Sequence, residues 1–275
     1  MNAEIGIHYG VPFAEYLKWD AVNQSALKHM LDSPLHFYHA ATEGFEDSEA
    51  LQLGRALHYA TFEPFIFQST YAKWQKQDGK AAAAMAKDQK LTPAILYSSA
   101  WGVDEMADAI LKDKHAGPIV SGLGTNAEVS ICWEFEGVKC KARIDGLIAK
   151  AGLDLKSTKE VPNTRGMTKA IFDHEYALQA AMTLDGLAAL GAKRDYWGLI
   201  FVEKSAPWAV GTCWLSPDVI RYGRAQYQRC IRQYKQCLAS GYWPGPGEVG
   251  TVEIPLPRWA AEKEGLTQEG MVYGD

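Results

Sequence analysis

The sequence predicts an α/β fold, a small mixed central sheet flanked by helices and preceded by a helical region. Three observations predict it. Apolar residues recur at helical spacing through the first third of the chain, the period shortens to two from Glu128 onward, and one helical stretch, Glu175 to Leu190, falls between the third and fourth extended segments.

Taken in order, Asn23 or Ser25 caps a helix running to about Leu31, and Ser33-Pro34 opens the next. From Glu49 to Phe62, Leu53, Ala56, Leu57 and Ala60 share one helical face. Residues 81 to 88, with a four-alanine run, and 93 to 113 continue the helical pattern. Segments 128 to 136, Val138 to Ile148, Leu153 to Ser157, Tyr196 to Glu203 and Trp208 to Leu215 read as strands. Gly191 ends the intervening helix, and a long final helix starts at Ser216-Pro217-Asp218 and stops before Gly241. The chain thus reads as one domain over 1–275. Residues 1–115 are mainly helical, 125–240 form the α/β core, and 241–275 are a Gly- and Pro-rich tail on the surface.

At 275 residues and 47% hydrophobic, the chain can bury a sizeable core. No apolar run reaches the roughly 18 to 20 residues that span a bilayer, and Met1 to Gly10 lacks a basic stretch followed by an apolar one, so a cytoplasmic protein without a membrane anchor is expected. Five cysteines with no CxxC pair (Cys132, Cys140, Cys213, Cys230, Cys237) argue against a disulfide framework and against a zinc or iron–sulfur site, leaving free thiols. The net charge of −5, from 28 Lys+Arg against 33 Asp+Glu, does not mark a nucleic-acid binder, so any such binding rests on local patches.

The chemistry concentrates between Arg143 and Thr158. Side chains alternate along a strand, so Asp154 and Lys156 share a face while Leu153 and Leu155 point to the other. A tight hairpin around Lys150 to Gly152 with an odd register sum sets Asp145 opposite or diagonal to them, roughly 5 to 8 Å away. Two carboxylates at that separation suit a shared divalent cation, and a lysine two residues on reaches past the second acid toward a phosphate or a water. The plain alternative is a solvated hairpin carrying ion pairs, and spacing alone does not separate the two. Lys139, Lys141 and Arg143 fall on the Asp145 face as a positive strip, though a solvated strand face explains them nearly as well. On the final helix Arg221, Arg224, Arg232 and Lys235 form a loose stripe, read as solvent-facing, with Arg229 to one side.

Asp145, then Asp154-Leu155-Lys156 on the next strand, then a helix bearing Gln179, resembles the PD-(D/E)xK nuclease superfamily. Gly54 to His58 resembles the G-x-x-x-H helix of its RecB-like branch. Asn23 to Lys28, Leu31 to Pro34, Glu128 to Ser130 and Gln179 to Met182 resemble the catalytic domain of RecE-type exodeoxyribonuclease VIII, a resemblance running over about residues 20 to 260. It implies a restriction-endonuclease-like core in which His58, Asp145, Asp154 and the carbonyl of Leu155 hold Mg2+ or Mn2+, and in which Lys156 assists the attacking water. Gln179 and Tyr176 are further candidates. The family pattern Q-x-x-x-Y has Thr183 at its tyrosine position here, and Tyr176, one turn ahead of Gln179, can substitute. Glu63 is read as structural, and Glu128 as a second-sphere acid or a surface glutamate at a strand start.

The resemblance further implies 5′ to 3′ degradation of linear double-stranded DNA that leaves 3′ single-stranded tails for recombination. It implies action on duplex ends by a homo-oligomeric ring, a tetramer, with a single-strand annealing protein of the RecT type as partner. Two alternatives stay open. One is a related nuclease of other polarity or single-strand preference, such as the CRISPR-adaptation or helicase-linked types, which commonly carry a four-cysteine cluster this chain lacks. The other is a degenerate member that binds DNA without cutting it; His58, Asp145, Asp154 and Lys156 all being present argues against that.

Overall fold

The computed structural model of the protein describes residues 3–43, 48–74, 95–98 and 102–266. The N-terminal region runs β1 (Gly6–His8), α1 (Phe13–Leu17), β2 (Val22–Asn23), α2 (Gln24–Leu27), a 3-10 turn over Lys28–Leu31, α3 (Pro34–Glu43), α4 (Glu49–Phe62) and α5 (Pro64–Thr70). Next come β3 (Tyr71–Trp74), β4 (Ile95–Ser98), α6 (Val103–Lys112), α7 (Ala116–Ser121), β5 (Ala127–Phe135), β6 (Val138–Leu147) and β7 (Ala151–Thr158). The chain finishes with α8 (Thr164–Asp173), α9 (Tyr176–Ala189), β8 (Tyr196–Glu203), β9 (Val210–Trp214), α10 (Pro217–Ser240) and α11 (Arg258–Lys263).

Local chemistry sets most boundaries. Asn23 accepts the Ala26 N–H at 2.8 Å and opens α2, Asn163 accepts the Gly166 N–H at 3.0 Å to open α8, and Ser216 caps α10, which Gly241 ends at φ 69°. The main sheet has seven strands in the order β1-β5-β6-β7-β8-β9, with β2 added beside β6. Most neighbours are antiparallel, but β7 and β8 are parallel because α8 and α9 carry the chain across between them. The mixed sheet flanked by helices is therefore as the sequence predicts.

Several elements differ from that reading. Residues 95–98 form a strand paired with β3, so the helix expected over 93–113 begins only at Val103; residues 81 to 88 lie outside the described residues. Strands β1 and β2 are too short to show a periodicity, yet they tie the N-terminal region into the main sheet. Helix α8 is an addition to the elements the sequence predicts, opened by its Asn163 cap and packed through Ala170 and Ile171. The tail is not wholly superficial: the Trp243 ring stacks on Phe37 at 5.6 Å and packs near Tyr234.

Two apolar layers fix the sheet. One face of β5, β6 and β8 packs on α9 and α10 through Ile131, Ile144, Phe201, Leu178 and Tyr227. On the other face, Leu155, Ile200 and Val202 meet Leu57 of α4 and Met106 and Ile110 of α6. Each such fully buried side chain contributes about 1.5–3 kcal/mol. A Cβ on Gly223 would run into the Ala177 carbonyl, so α9 and α10 touch backbone to backbone and α9 is held close to the sheet. Because Leu155 is anchored on the α4 side while Asp154 and Lys156 lie beside Leu199 and Phe201, the middle of β7 is approached by α4 from one face and by α9 from the other.

Candidate active site

The hairpin partners β6 and β7 pair only through Gly146↔Leu153 and Leu147↔Gly152 and then separate, β6 toward β5 and β7 toward β8. The Asp145 carboxylate fills the opening, its Oδ2 accepting the Leu155 N–H at 2.6 Å. Asp145 is 5% exposed and Asp154 2%, which removes the solvated-hairpin alternative. Opening the ladder leaves the Leu155 carbonyl turned toward α4, where His58 Nε2 lies 3.2 Å from it.

His58 reaches the opening from the last turns of α4, held by Leu53, Ala56 and Leu57 buried against α6. Its Nδ1 lies 3.3 Å from Asp145 Oδ1 and 3.4 Å from Glu128 Oε1. One ligand atom each of His58, Glu128 and Asp145 fall within 4.8 Å of one another, a separation a single cation can bridge. Burial alone would depress the His58 pKa, but the Asp145 and Glu128 carboxylates outweigh it and hold the imidazole well above 6.5. Asp145 moves the other way: burial pushes it up, but His58, Lys156 and the Leu155 N–H together keep it below 3.8.

Glu128 is neither a surface residue nor remote from the cluster. Its backbone is left-handed at φ 53°, and it stands between the pairs Ala127↔Gly146 and Val129↔Ile144, so the ladder is interrupted beside Asp145. Arg143 Nε donates to its Oε2 at 2.5 Å and aims the other oxygen at His58. A glutamate before an apolar strand gives no hint of this conformation, and the sequence signal for it was the family resemblance over Glu128 to Ser130. Glu63 caps α4 and lines the same cavity 3.7 Å from Arg143, with burial and Glu128 raising its pKa.

On the α9 side, Gln179 Nε2 donates to Asp154 Oδ1 at 2.6 Å, and the Lys156 ammonium lies 2.6 Å from Asp154 Oδ2. Burial and the nearby Asp145 push Asp154 up to about 6 even though Lys156 opposes them. Burial pulls Lys156 down, but Asp154, Tyr176 and Asp145 raise it above its ordinary value, so it carries its proton at neutral pH. The ammonium also stands 4.7 Å from the centre of the Tyr176 ring. Thr183, at the place of the family tyrosine, donates to the Gln179 carbonyl at 2.8 Å and stays inside the helix packing. The structure thus brings His58, Asp145, Asp154, Leu155, Lys156, Gln179 and Tyr176 to one cavity and leaves Thr183 out of it.

The positive strip is a correction. Lys141 is buried and donates to the carbonyls of Tyr16, Leu17 and Trp19, Lys139 reaches the Ala3 carbonyl at 3.3 Å, and Arg143 is committed to Glu128, Ser130 and the Val11 carbonyl. The N-terminal segment covers this strand face, so these cations satisfy loop backbone and do not face a phosphate. The stripe on the final helix is solvent-facing, as its sequence reads: Arg221, Arg232 and Lys235 are exposed, Arg232 and Lys235 bonding to Glu136, and Arg224 is half-buried against Asp185. All five cysteines are free, four of them buried, and no described helix is long and apolar enough to cross a membrane.

Comparison with known proteins adds two findings. Residues 23–253 match the model of a family described as a PDDEXK-like domain of unknown function (DUF3799). The fold resembles a crystal structure of a protein from Eubacterium rectale described as a "putative exonuclease", with a TM-score of 0.59 at 13% identity, covering 90% of this chain and 96% of that one. No curated protein matches the sequence.

Proposed function

The chain belongs to that PDDEXK-like family, and from this premise we propose that it is a divalent-metal-dependent exodeoxyribonuclease acting on linear double-stranded DNA. The observation that carries the reading is the buried convergence of His58, Glu128, Asp145 and the Leu155 carbonyl at the opening between β6 and β7. That donor set fits a hard cation: carboxylate, carbonyl and imidazole, with no thiolate. Asp154 stands outside the cluster of His58, Glu128 and Asp145 but lines the same cavity, its buried Oδ2 2.6 Å from the Lys156 ammonium. His58, Asp145, Asp154 and the Leu155 carbonyl would hold Mg2+ or Mn2+, with Glu128 as a further acid. Such a cation supplies a Lewis acid for a phosphate oxygen and lowers the pKa of a water.

The chain's own groups do the rest. Lys156 is protonated, so it stabilises charge growing on a phosphate oxygen and does not take a proton from the water. Gln179 and Lys156 clamp the two Asp154 oxygens and fix the carboxylate's orientation. Tyr176 holds the ammonium from its ring face. The family resemblance supports 5′ to 3′ polarity, a tetrameric ring and a RecT-type annealing partner as parts of the same proposal.

Digestion of end-labelled linear and closed circular duplex DNA, with Mg2+ or with EDTA, tests it. Linear DNA shortening from its ends in Mg2+ alone is expected. Cutting of the closed circle makes the chain an endonuclease, and cutting in EDTA removes the metal.

A second expectation follows from the protons at the site. Folding raises the pKa of His58 above 6.5 and that of Asp154 from 3.8 to about 6, so the metal-free fold binds protons more tightly than the unfolded chain. Their contribution to stability is complete below the unfolded values and is lost as pH rises through the folded ones. A cation competes with those protons, so its affinity and the Tm increment it gives rise between about pH 5.5 and about pH 8. Asp145, held below 3.8, is ionised throughout. Thermal melts with and without Mg2+ across that range measure the increment, and one that stays flat or shrinks contradicts this site.

A further inference from the structure

We propose that Lys204, His174 and Lys28 form a phosphate subsite that holds the nucleic-acid backbone next to the phosphodiester being cut, an inference resting on the nuclease reading. The cavity of about 530 Å³ is segregated by charge. Glu63, Glu128 and Asp145 occupy one end, where the Arg143 cation is already spent on the two glutamates. Lys156, Lys204 and His174 line the other, and Lys28 stands one turn beyond Gln24 and Ser25, which line it too.

Positive charge crowds this end. Burial and the nearby Lys28 and Lys204 hold the His174 pKa below 6.5, so its imidazole is a neutral donor, while Lys28 feels Lys156 and Lys204 feels Lys159. Lys28 and Lys204 are half-buried, yet among the described residues neither side chain makes a hydrogen bond or ion pair. Asp32 and Glu175 attract Lys28, and Asp173 attracts His174, all from beyond ion-pair distance, while Glu175 accepts a hydrogen bond from Gln226 at 2.8 Å. Among the described residues, other half-buried and buried cations are satisfied, as Arg143, Lys141 and Arg224 are. Gathering half-buried like charges without an anion is unfavourable, and a phosphate removes the penalty.

The backbone places the subsite along a strand's path. Lys204 N–H donates to the Thr158 carbonyl at 2.8 Å, and Phe201, three positions before Lys204, stands beside Lys156. Three residues separate the two positions, roughly 10 Å at about 3.3 Å per residue. Lys156 and Lys204 therefore address different phosphates of one strand. A cavity of this size accommodates a few nucleotides of one strand.

The test measures binding of a fluorescent single-stranded oligonucleotide to the full chain in EDTA, across a salt series. Lys204→Gln and Lys28→Gln should each reduce the magnitude of the slope of log Kd against log salt by about 0.7, the value of one phosphate contact on a single strand. In Mg2+ each should raise KM more than it lowers kcat, Lys204→Arg should restore binding, and His174→Asn should weaken it. Lys193→Gln, outside the cavity and paired with Asp195, should keep the wild-type slope. Wild-type slopes in both glutamine variants, an equal drop in Lys193→Gln, or no binding by the wild type would overturn the subsite. A wild type that binds with its full slope but never cuts with any divalent metal removes the nuclease reading and leaves the subsite standing.

Discussion

Lys156→Ala is expected to lower cleavage of linear DNA by at least about a thousandfold while the protein stays folded. Two losses combine. The ammonium no longer stabilises charge on the phosphate, and Asp154 loses the group that does most to lower its pKa, which already stands at about 6. Without Lys156 the Asp154 carboxyl needs a higher pH to ionise, so the residual activity should rise toward alkaline pH more steeply than in the wild type. Folding is spared because Gln179 still donates to Asp154 and the side chain removed is a partly exposed one. Single-turnover rates from about pH 6 to about pH 9.5, beside circular dichroism melts, make the measurement. Near-normal cutting by this variant at neutral pH would rule out the assigned role.

Asp145→Ala is expected to abolish cutting and also to destabilise the fold, which separates it from the Lys156 variant. Its Oδ2 is the acceptor for the buried Leu155 N–H in the place where the β6–β7 ladder has opened. Losing that acceptor leaves an unsatisfied donor at a cost of about 1–3 kcal/mol, or several degrees in Tm for a chain of this size. Asp145→Asn is the informative companion. Its amide oxygen can still accept from Leu155, so stability should return in large part, while the loss of the carboxylate charge keeps cutting and metal-induced stabilisation absent. An Asn variant that cuts well would show that Asp145 serves the scaffold alone.

Much of this site is legible in the sequence. The D-x-K spacing of Asp154 and Lys156 on a strand, with Leu153 and Leu155 facing the other way, is a period-two pattern, and such patterns survive folding because the backbone itself enforces them. The helix over Glu49–Phe62 carried its apolar stripe openly, so His58 could be set on a helix of known faces. Strands β1 and β2 and the helix after Asn163 left little or no trace, because a strand of two or three residues has no period and a short capped helix is decided by its packing.

The electrostatic roles were not legible. Lys139, Lys141 and Arg143 look alike along the strand, and only the covering N-terminal segment shows them feeding loop carbonyls and Glu128. Glu128 itself enters the cluster through a left-handed backbone that no residue-type preference announces.

By itself the sequence determined the secondary-structure periods, and with them which side chains share a face of β7, since those depend on neighbours a few residues apart. Tertiary structure alone decided where β6 leaves β7, which acids lost their water, and which cations kept no partner. Those are matters of distance between segments remote in the chain, and charge interactions there depend on burial that no local pattern encodes.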